Sequence, residues 1–97
     1  MRIPKKVKIG GRIYKVKITE NIKCHRSQTS AEIDAWDSEI RITPQSKETM
    51  LNNFLHELMH GIFDFWGKSD HDEELIDKMA NTLYMIVKDN PQIFKGD

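Results

Sequence analysis

The sequence is poor in the features that mark secreted and membrane proteins. It has one cysteine, Cys24, among 97 residues, so no internal disulfide can form. No apolar run is long enough to span a bilayer, and no signal-peptide core follows residues 1–4. We therefore expect a cytoplasmic protein. Cys24 and the adjacent His25 are not expected to bind a metal together, because neighbouring residues of an extended chain point to opposite faces.

The chain also lacks an excess of either charge. Fifteen Lys and Arg residues balance fifteen Asp and Glu residues. A neutral chain gives no electrostatic reason to expect nucleic acid or an anionic membrane as a partner. The locally basic segment of residues 5–17 alternates lysine with apolar residues, which is typical of the exposed face of a strand. With 97 residues, the chain is expected to form one domain that binds neither nucleic acid nor membrane.

The first half of the chain has the two-residue alternation of β-strands. Apolar residues alternate with lysines on both sides of Gly10-Gly11, which predicts a β-hairpin with one buried face. A polar loop over residues 19–29 separates it from a second predicted hairpin, which turns at Asp37-Ser38. We expect the four strands, within residues 5–42, to form a small antiparallel sheet.

The second half has the three- and four-residue spacing of helices. The first helix is predicted over residues 44–66, with Thr43 as its N-cap and Pro44 at its first position, where a missing N–H is tolerated. Its apolar residues cover a wide face, which is typical of a largely buried helix. Gly67 is expected to end it.

A second helix is predicted over residues 71–89. Asp70 and Glu73 have the spacing of a capping box, and Asn90-Pro91 ends the apolar stripe. The short connection between the helices predicts that they run antiparallel. Strands followed by helices predict an α+β fold, in which both helices bury their apolar stripes against each other and the sheet.

The chemistry of the sequence is concentrated in His56-Glu57-Leu58-Met59-His60, an H-E-x-x-H motif. Residues four apart on a helix share a face, so His56 and His60 can offer two imidazole nitrogens to one ion at about 2.0–2.1 Å. Glu57 projects beside this pair, where it can act as the general base toward a metal-bound water. The ion lowers the pKa of that water and polarises the carbonyl under attack. Two surface histidines without a metal are a weaker interpretation, because the large apolar neighbours would make unpaired imidazoles costly to bury.

A catalytic zinc ion needs a third protein ligand besides the two histidines. Helix phase places Glu73 at the border of the buried stripe, where a site between two helices would lie, and points Glu74 into solvent. Asp77, one turn after Glu73, can hold a histidine N–H from behind. The simpler interpretations are that Glu73 only closes the capping box and that Asp77 is solvated. We predict one zinc ion bound by His56, His60 and Glu73. The alternatives for the third ligand are Glu74, Asp72 and His71.

These residues resemble a known arrangement of zinc peptidases. The H-E-x-x-H motif followed by Glu73 and Asp77 is similar to the gluzincin arrangement, in which a glutamate on a second helix is the third ligand and an aspartate four residues later supports a histidine. The whole chain also resembles the small single-domain zincin-like proteins of bacterial prophages and mobile elements, distant relatives of the ImmA/IrrE peptidases. The resemblance is strongest over residues 50–91, where "EELIDKMANTLYMIVKDNP" looks like their second helix.

The resemblance implies a minimal zincin fold, with a short sheet over an active-site helix and a second helix that closes the metal site. It also implies that an edge strand aligns an extended peptide, and the strand near residues 39–42 is the candidate. Larger gluzincins add a Tyr, His or Arg that stabilises the oxyanion. Tyr84 could face the site, although a core or surface tyrosine is the simpler interpretation.

The expected function is zinc-dependent hydrolysis of a peptide bond in a protein or peptide substrate, with Glu57 as the general base. One alternative is a non-catalytic, zinc-stabilised binding or adaptor domain of phage or mobile-element origin, and another is a metal-free interaction domain. A structural zinc site needs no glutamate at position 57. It would usually be closed by a fourth protein ligand, for which His71 is available.

Overall fold

The computed structural model describes residues 2–23 and 30–94. Four strands come first: β1 (Lys6–Ile9), β2 (Arg12–Ile18), β3 (Ala31–Asp34) and β4 (Glu39–Ile42). Three helical elements follow: α1 (Lys47–Phe65), α2 (Glu73–Asp89) and a short 3-10 helix, Pro91–Phe94. The predicted α+β order, a sheet followed by two helices, is confirmed. Within the described ranges, neither long helix has the length and apolarity that a bilayer span requires. Cys24 and His25 lie outside the described residues.

The hairpin at Gly10-Gly11 forms as predicted. β1 and β2 pair antiparallel, and Gly10 and Gly11 have φ angles of 57° and 92°. Positive φ at both central residues is the geometry of a type I′ turn, whose twist matches that of the flanking strands and which glycine adopts without steric penalty. A Cβ on Gly10 would overlap the ring of Phe65, so the turn also packs against the end of α1.

The sheet is mixed, and the prediction of an antiparallel sheet is wrong. β3 and β4 form the second antiparallel hairpin, but β2 pairs parallel with β4, which gives the strand order β1-β2-β4-β3. β4 takes a central place and is the most buried strand, with Ile40 and Ile42 both 0% exposed. The alternation of apolar and polar residues predicts the pairing of strands within each hairpin. It does not predict which strands of the two hairpins pair with each other.

The core lies between the sheet and the two helices. Its largest fully buried side chains are Ile40, Ile42 and Ile76. α1 lies close to the sheet at Gly61, where a Cβ would lie 2.7 Å from Cδ1 of Ile9 and 2.9 Å from Cδ1 of Ile33. The missing side chain therefore lets the H-E-x-x-H helix lie directly against β3.

α1 begins three residues later than predicted. Ser46 is its N-cap, and the Ser46 hydroxyl accepts a hydrogen bond from the Thr49 N–H at 3.2 Å. Thr43 is not the cap, because it extends the pairing of β3 and β4 by one residue: its N–H and its hydroxyl both donate to the carbonyl of Ser30. The helix ends at Phe65, and Gly67 follows with a φ of 76°, as expected of a helix-terminating glycine.

α2 begins two residues later than predicted. Asp72 is its N-cap and accepts hydrogen bonds from the N–H groups of Glu74 and Leu75. Asp70 is not the cap and instead lies 3.3 Å from the Lys68 ammonium. This cap makes Glu73 the first helical residue, so the direction of its side chain is set by the first turn of α2.

The two helices are antiparallel, as predicted from the short connection. Residue numbers rise along one helix as they fall along the other. The contacts, in order along α1, join Glu48 to Lys88 at 2.9 Å, Asn52 to Asn81 at 2.6 Å and His56 to Asp77 at 3.2 Å. The end of α1 and the start of α2 therefore lie together, on the side where the motif is found.

Candidate metal centre

α1 and α2 bring the three predicted zinc ligands together. His56 Nε2 lies 3.1 Å from Glu73 Oε2, and His60 Nε2 lies 3.1 Å from Glu73 Oε1. One ligand atom from each residue lies within 4.8 Å of the others. Two atoms bound at about 2.0–2.1 Å to a tetrahedral zinc ion would be about 3.3 Å apart, so this ligand cluster has the size of a zinc site. An ion held there would join the two helices.

His56 is supported on its other ring nitrogen by Asp77. The Asp77 Oδ1 atom lies 3.2 Å from His56 Nδ1, one helical turn after Glu73. A carboxylate in this position holds the proton of the imidazole on Nδ1 and leaves the Nε2 lone pair directed at Glu73. The structure thus places Asp77 at the contact that the sequence predicts for it.

His60 is supported by a different residue. Its Nδ1 lies 2.7 Å from Nδ1 of His71, while its Nε2 faces Glu73. Burial lowers the pKa of His60, which keeps the imidazole neutral near pH 7. Because a metal binds the neutral ring, the surroundings of His60 favour the form that a ligand needs.

The other candidate ligands have different roles. Asp72 caps α2, and Glu74 is exposed with its carboxylate 3.3 Å from the Lys78 ammonium. His71 faces the side of the His60 ring that points away from Glu73, so it lies behind the ligand and not beside the ion. Among the described residues, the group that could hold an ion is therefore the ligand cluster alone.

Glu57 lies beside the ligand cluster and is buried against β3, with 8% of its surface exposed. Burial raises the pKa of Glu57 to about 7, the nearby His56 opposes the rise, and the charge of Glu73 adds to it. The backbone N–H of Ile33 donates a hydrogen bond to the carboxylate and also opposes the rise. A carboxyl group that titrates near neutral pH is well matched to both accepting and returning a proton.

An open cavity of about 690 Å³ surrounds the ligand cluster. One wall is the start of β3, and the other is formed by α1, the helix connection and the first turns of α2. The described lining contains no lysine, arginine or tyrosine. It contains five carboxylates, those of Glu32, Glu57, Asp64, Glu73 and Asp77. Glu32 is paired with Arg41 and the pKa of Glu57 is raised, so the negative charge of the lining comes mainly from Asp64, Glu73 and Asp77, and it favours the binding of a cation.

The edge strand beside the cavity is β3, and the strand near residues 39–42 is not an edge. β4 pairs with β2 on one side and with β3 on the other, so its backbone is used by the sheet itself. β3 stands at the end of the strand order and lines the cavity. Whether β3 or β4 is the edge strand depends on the order of strands in the sheet, and the alternation of apolar residues does not predict that order.

Tyr84 lies away from the ligand cluster. Its hydroxyl donates to the Glu48 carboxylate at 3.0 Å, and the same carboxylate accepts from Lys88. Glu48 precedes His56 by eight residues on α1, a distance of about 12 Å along the helix axis. The simpler interpretation of Tyr84, a partly buried tyrosine outside the site, therefore holds.

Two contacts of the site have no signal in the sequence. The Ile33 N–H reaches Glu57 because β3 is an edge strand, and His71 reaches His60 because of the path of the helix connection. Comparison with family models, curated proteins and solved structures found no match to this chain. The function is therefore inferred from the residues and distances described above.

Proposed function

We propose that the protein is a zinc-dependent peptidase of the gluzincin kind, in which His56, His60 and Glu73 bind one zinc ion and Glu57 is the general base. The observation that carries the proposal is a three-ligand cluster that shares an open cavity with a buried glutamate. Structural zinc sites are closed by four protein ligands, whereas catalytic sites have three and an open position. His71, the nearest available fourth ligand, is held on the far side of His60.

Each residue of the cavity has a separate task in this proposal. A zinc ion would supply Lewis acidity, which lowers the pKa of water and polarises a substrate carbonyl. Glu57 accepts the proton of the attacking water and returns it to the leaving amine. A pKa of about 7 suits both steps near neutral pH. The Ile33 N–H holds the carboxylate in place between these transfers.

The outer edge of β3 suits an extended peptide substrate. In an antiparallel pair, successive residues direct their backbone groups alternately toward the partner strand and away from it. The Thr43 N–H donates to the Ser30 carbonyl at 2.9 Å, and the register then turns Ala31 and Ile33 outward. The Ile33 N–H already donates to Glu57, so a peptide along this edge would be bound through the other outward backbone groups, next to Glu57. We therefore expect substrates that are unfolded at the cleavage site.

The test compares Glu57→Gln with Glu74→Gln. Glutamine has the shape of glutamate but cannot accept a proton, and Glu74 is an exposed glutamate outside the ligand cluster. We expect about one zinc ion per chain in both variants, by elemental analysis. Cleavage of a mixed library of fluorescence-quenched peptides should fall by about 10²–10⁴-fold in Glu57→Gln and stay unchanged in Glu74→Gln.

Two results would contradict the proposal. Undiminished cleavage by Glu57→Gln would remove the general base. A zinc content that survives His56→Ala would remove the metal centre, because that change deletes a ligand of the cluster.

The second candidate function is a zinc-stabilised binding domain without catalysis. Its support is that the ligands come from two helices, so an ion would link the helices of a small domain. A wild-type protein that binds zinc through the ligand cluster but leaves every library peptide intact would favour this candidate.

A further inference from the structure

His71 connects His60 to the backbone of the helix connection. His60 Nδ1 lies 2.7 Å from His71 Nδ1, and His71 Nε2 lies 2.8 Å from the Lys68 carbonyl oxygen. His71 Nε2 also lies 3.1 Å from Asp64 Oδ1. The two imidazole planes differ by 19°, which suits a hydrogen bond in the plane of both rings. The rings of Phe63 and His71 meet edge to face, with centroids 5.5 Å apart and an interplanar angle of 75°. This contact limits the rotation of the His71 ring.

These contacts allow one arrangement of protons when both rings are neutral. A metal at Nε2 of His60 uses that lone pair, so the ring proton must be on Nδ1, where it can only be donated. His71 Nδ1 must then accept, which leaves the His71 proton on Nε2. That proton points at the Lys68 carbonyl, which can only accept.

We propose that His71 is a positioning residue for the metal centre: it accepts the Nδ1 proton of His60 and thereby fixes the tautomer that presents Nε2 to the ion. The Lys68 carbonyl and Asp64 hold His71 in the accepting tautomer. The two histidine ligands are thus supported by different chemistry, His56 by a carboxylate and His60 by an imidazole. This proposal rests on the metal site of the proposed function, but it does not depend on catalysis.

The first test measures zinc affinity in two variants of the full chain, by competition with a chromophoric chelator. His71→Phe keeps an aromatic ring against Phe63 but offers no acceptor to His60. His71→Asn places an amide oxygen near the position of Nδ1 and restores the acceptor. We expect zinc affinity to fall by about 10–100-fold in His71→Phe and to recover in His71→Asn. If His71 only fills space, the phenylalanine variant will bind zinc at least as tightly as the asparagine variant, which would overturn the proposal.

The second test needs no variant and so does not depend on the folding of one. Long-range ¹H–¹⁵N correlation spectra of the zinc-loaded wild type report which nitrogen of each histidine carries a proton. We expect the Nδ1–H form for His60 and the Nε2–H form for His71, and a protonated Nδ1 on His71 would overturn the proposal. A wild type that binds no zinc would contradict the proposed function as well. A zinc-loaded wild type with the wrong His71 tautomer would contradict this inference alone.

Discussion

Position 73 shows how one residue can complete a site that its distant neighbours begin. Asp72 caps α2, which makes Glu73 the first helical residue and turns its carboxylate toward both histidines. Glu74 is rotated by about 100° from it and instead pairs with Lys78 in solvent. Two adjacent glutamates of identical chemistry therefore have different surroundings because of the phase of one helix.

Glu73→Ala should weaken zinc binding far more than Glu74→Ala. The first change removes a ligand, so we expect a loss larger than the 10–100-fold typical of a supporting residue. The second removes an exposed ion pair and should leave zinc affinity unchanged. Chelator competition at one pH measures both, and equal losses would exclude Glu73 as the third ligand.

The sequence predicts the candidate site as far as its residues lie on regular helices. Period 3.6 places His56, His60 and Glu57 around one face and directs Glu73 and Asp77 to the border of the second helix. Helical periodicity does not predict the contact of His71 with His60. It lies in the connection before α2, where no period relates a residue to its neighbours in space.

Among the elements, the β3–β4 hairpin is held by a buried ion cluster that comprises Arg41, Glu32, Asp34 and Glu39. The Arg41 side chain is 3% exposed and contacts all three carboxylates, with Glu32 at 2.6 Å. These contacts join the edge strand to the central strand on the side of the sheet away from Ile40 and Ile42. The alternation of residues in β4 predicts that Arg41 lies on the face opposite Ile40 and Ile42. It does not predict that Arg41 is buried there by acidic residues.

Arg41→Leu should destabilise the fold by about 3–5 kcal/mol, because it leaves a buried glutamate without its cationic partner. The control is Lys23→Ala, which removes an exposed pair with Asp37 and should change the free energy of unfolding by about 0–1 kcal/mol. Urea denaturation at neutral pH gives both values. Similar losses in the two variants would show that the buried pair contributes no more than a surface one.

The same cluster predicts how stability depends on pH. The Asp37 N–H and Arg41 lower the pKa of Asp34, and Lys17 and Arg41 lower the pKa of Glu39, from ordinary values of 3.8 and 4.5. Carboxylates with lowered pKa values stabilise the fold above those ordinary values, and this stability is lost as the pH falls through the folded pKa values. Urea titrations from about pH 7 down to about pH 3 should show a smaller acid-dependent loss in Arg41→Leu than in the wild type. A parallel decline would contradict the role given to Arg41.

Periodicity predicts the described strands and both long helices, because each buries one face. It predicts neither the sheet order nor the helix starts. The parallel pairing of β2 with β4 places the most buried strand inside the sheet, and the alternation within each hairpin does not indicate it. Ser46 caps α1 because Thr43 is bonded to Ser30 beside the sheet. Asp72, and not Asp70, accepts the hydrogen bonds of the first turn of α2.

For the whole molecule, metal binding at the proposed site would be coupled to folding. The ligands belong to α1 and α2, whose contacts form one side of the core, so an ion bound there stabilises the native state and not the unfolded chain. In a chain of 97 residues, the core is small enough for this contribution to be a large share of the total.

Zinc at about 100 times its dissociation constant should stabilise the protein by about 2.7 kcal/mol. For a domain of this size, that corresponds to a rise in Tm of roughly 10–20 °C, measured by circular dichroism. His56→Ala should abolish the rise and Glu74→Ala should retain it. A rise of the same size in His56→Ala would place the zinc somewhere other than the ligand cluster.

Gly61 follows His60 directly and sets the distance between α1 and β3, because a methyl group there would meet Ile9 and Ile33. The gap between Glu57, the proposed base, and the edge of β3 therefore depends on a residue with no functional group. Position 61 therefore acts as a spacer, and its size can change without altering a ligand or the base. Under the proposed function, selection or design could use it to adjust the cleft to a bulkier peptide without replacing a ligand or the base.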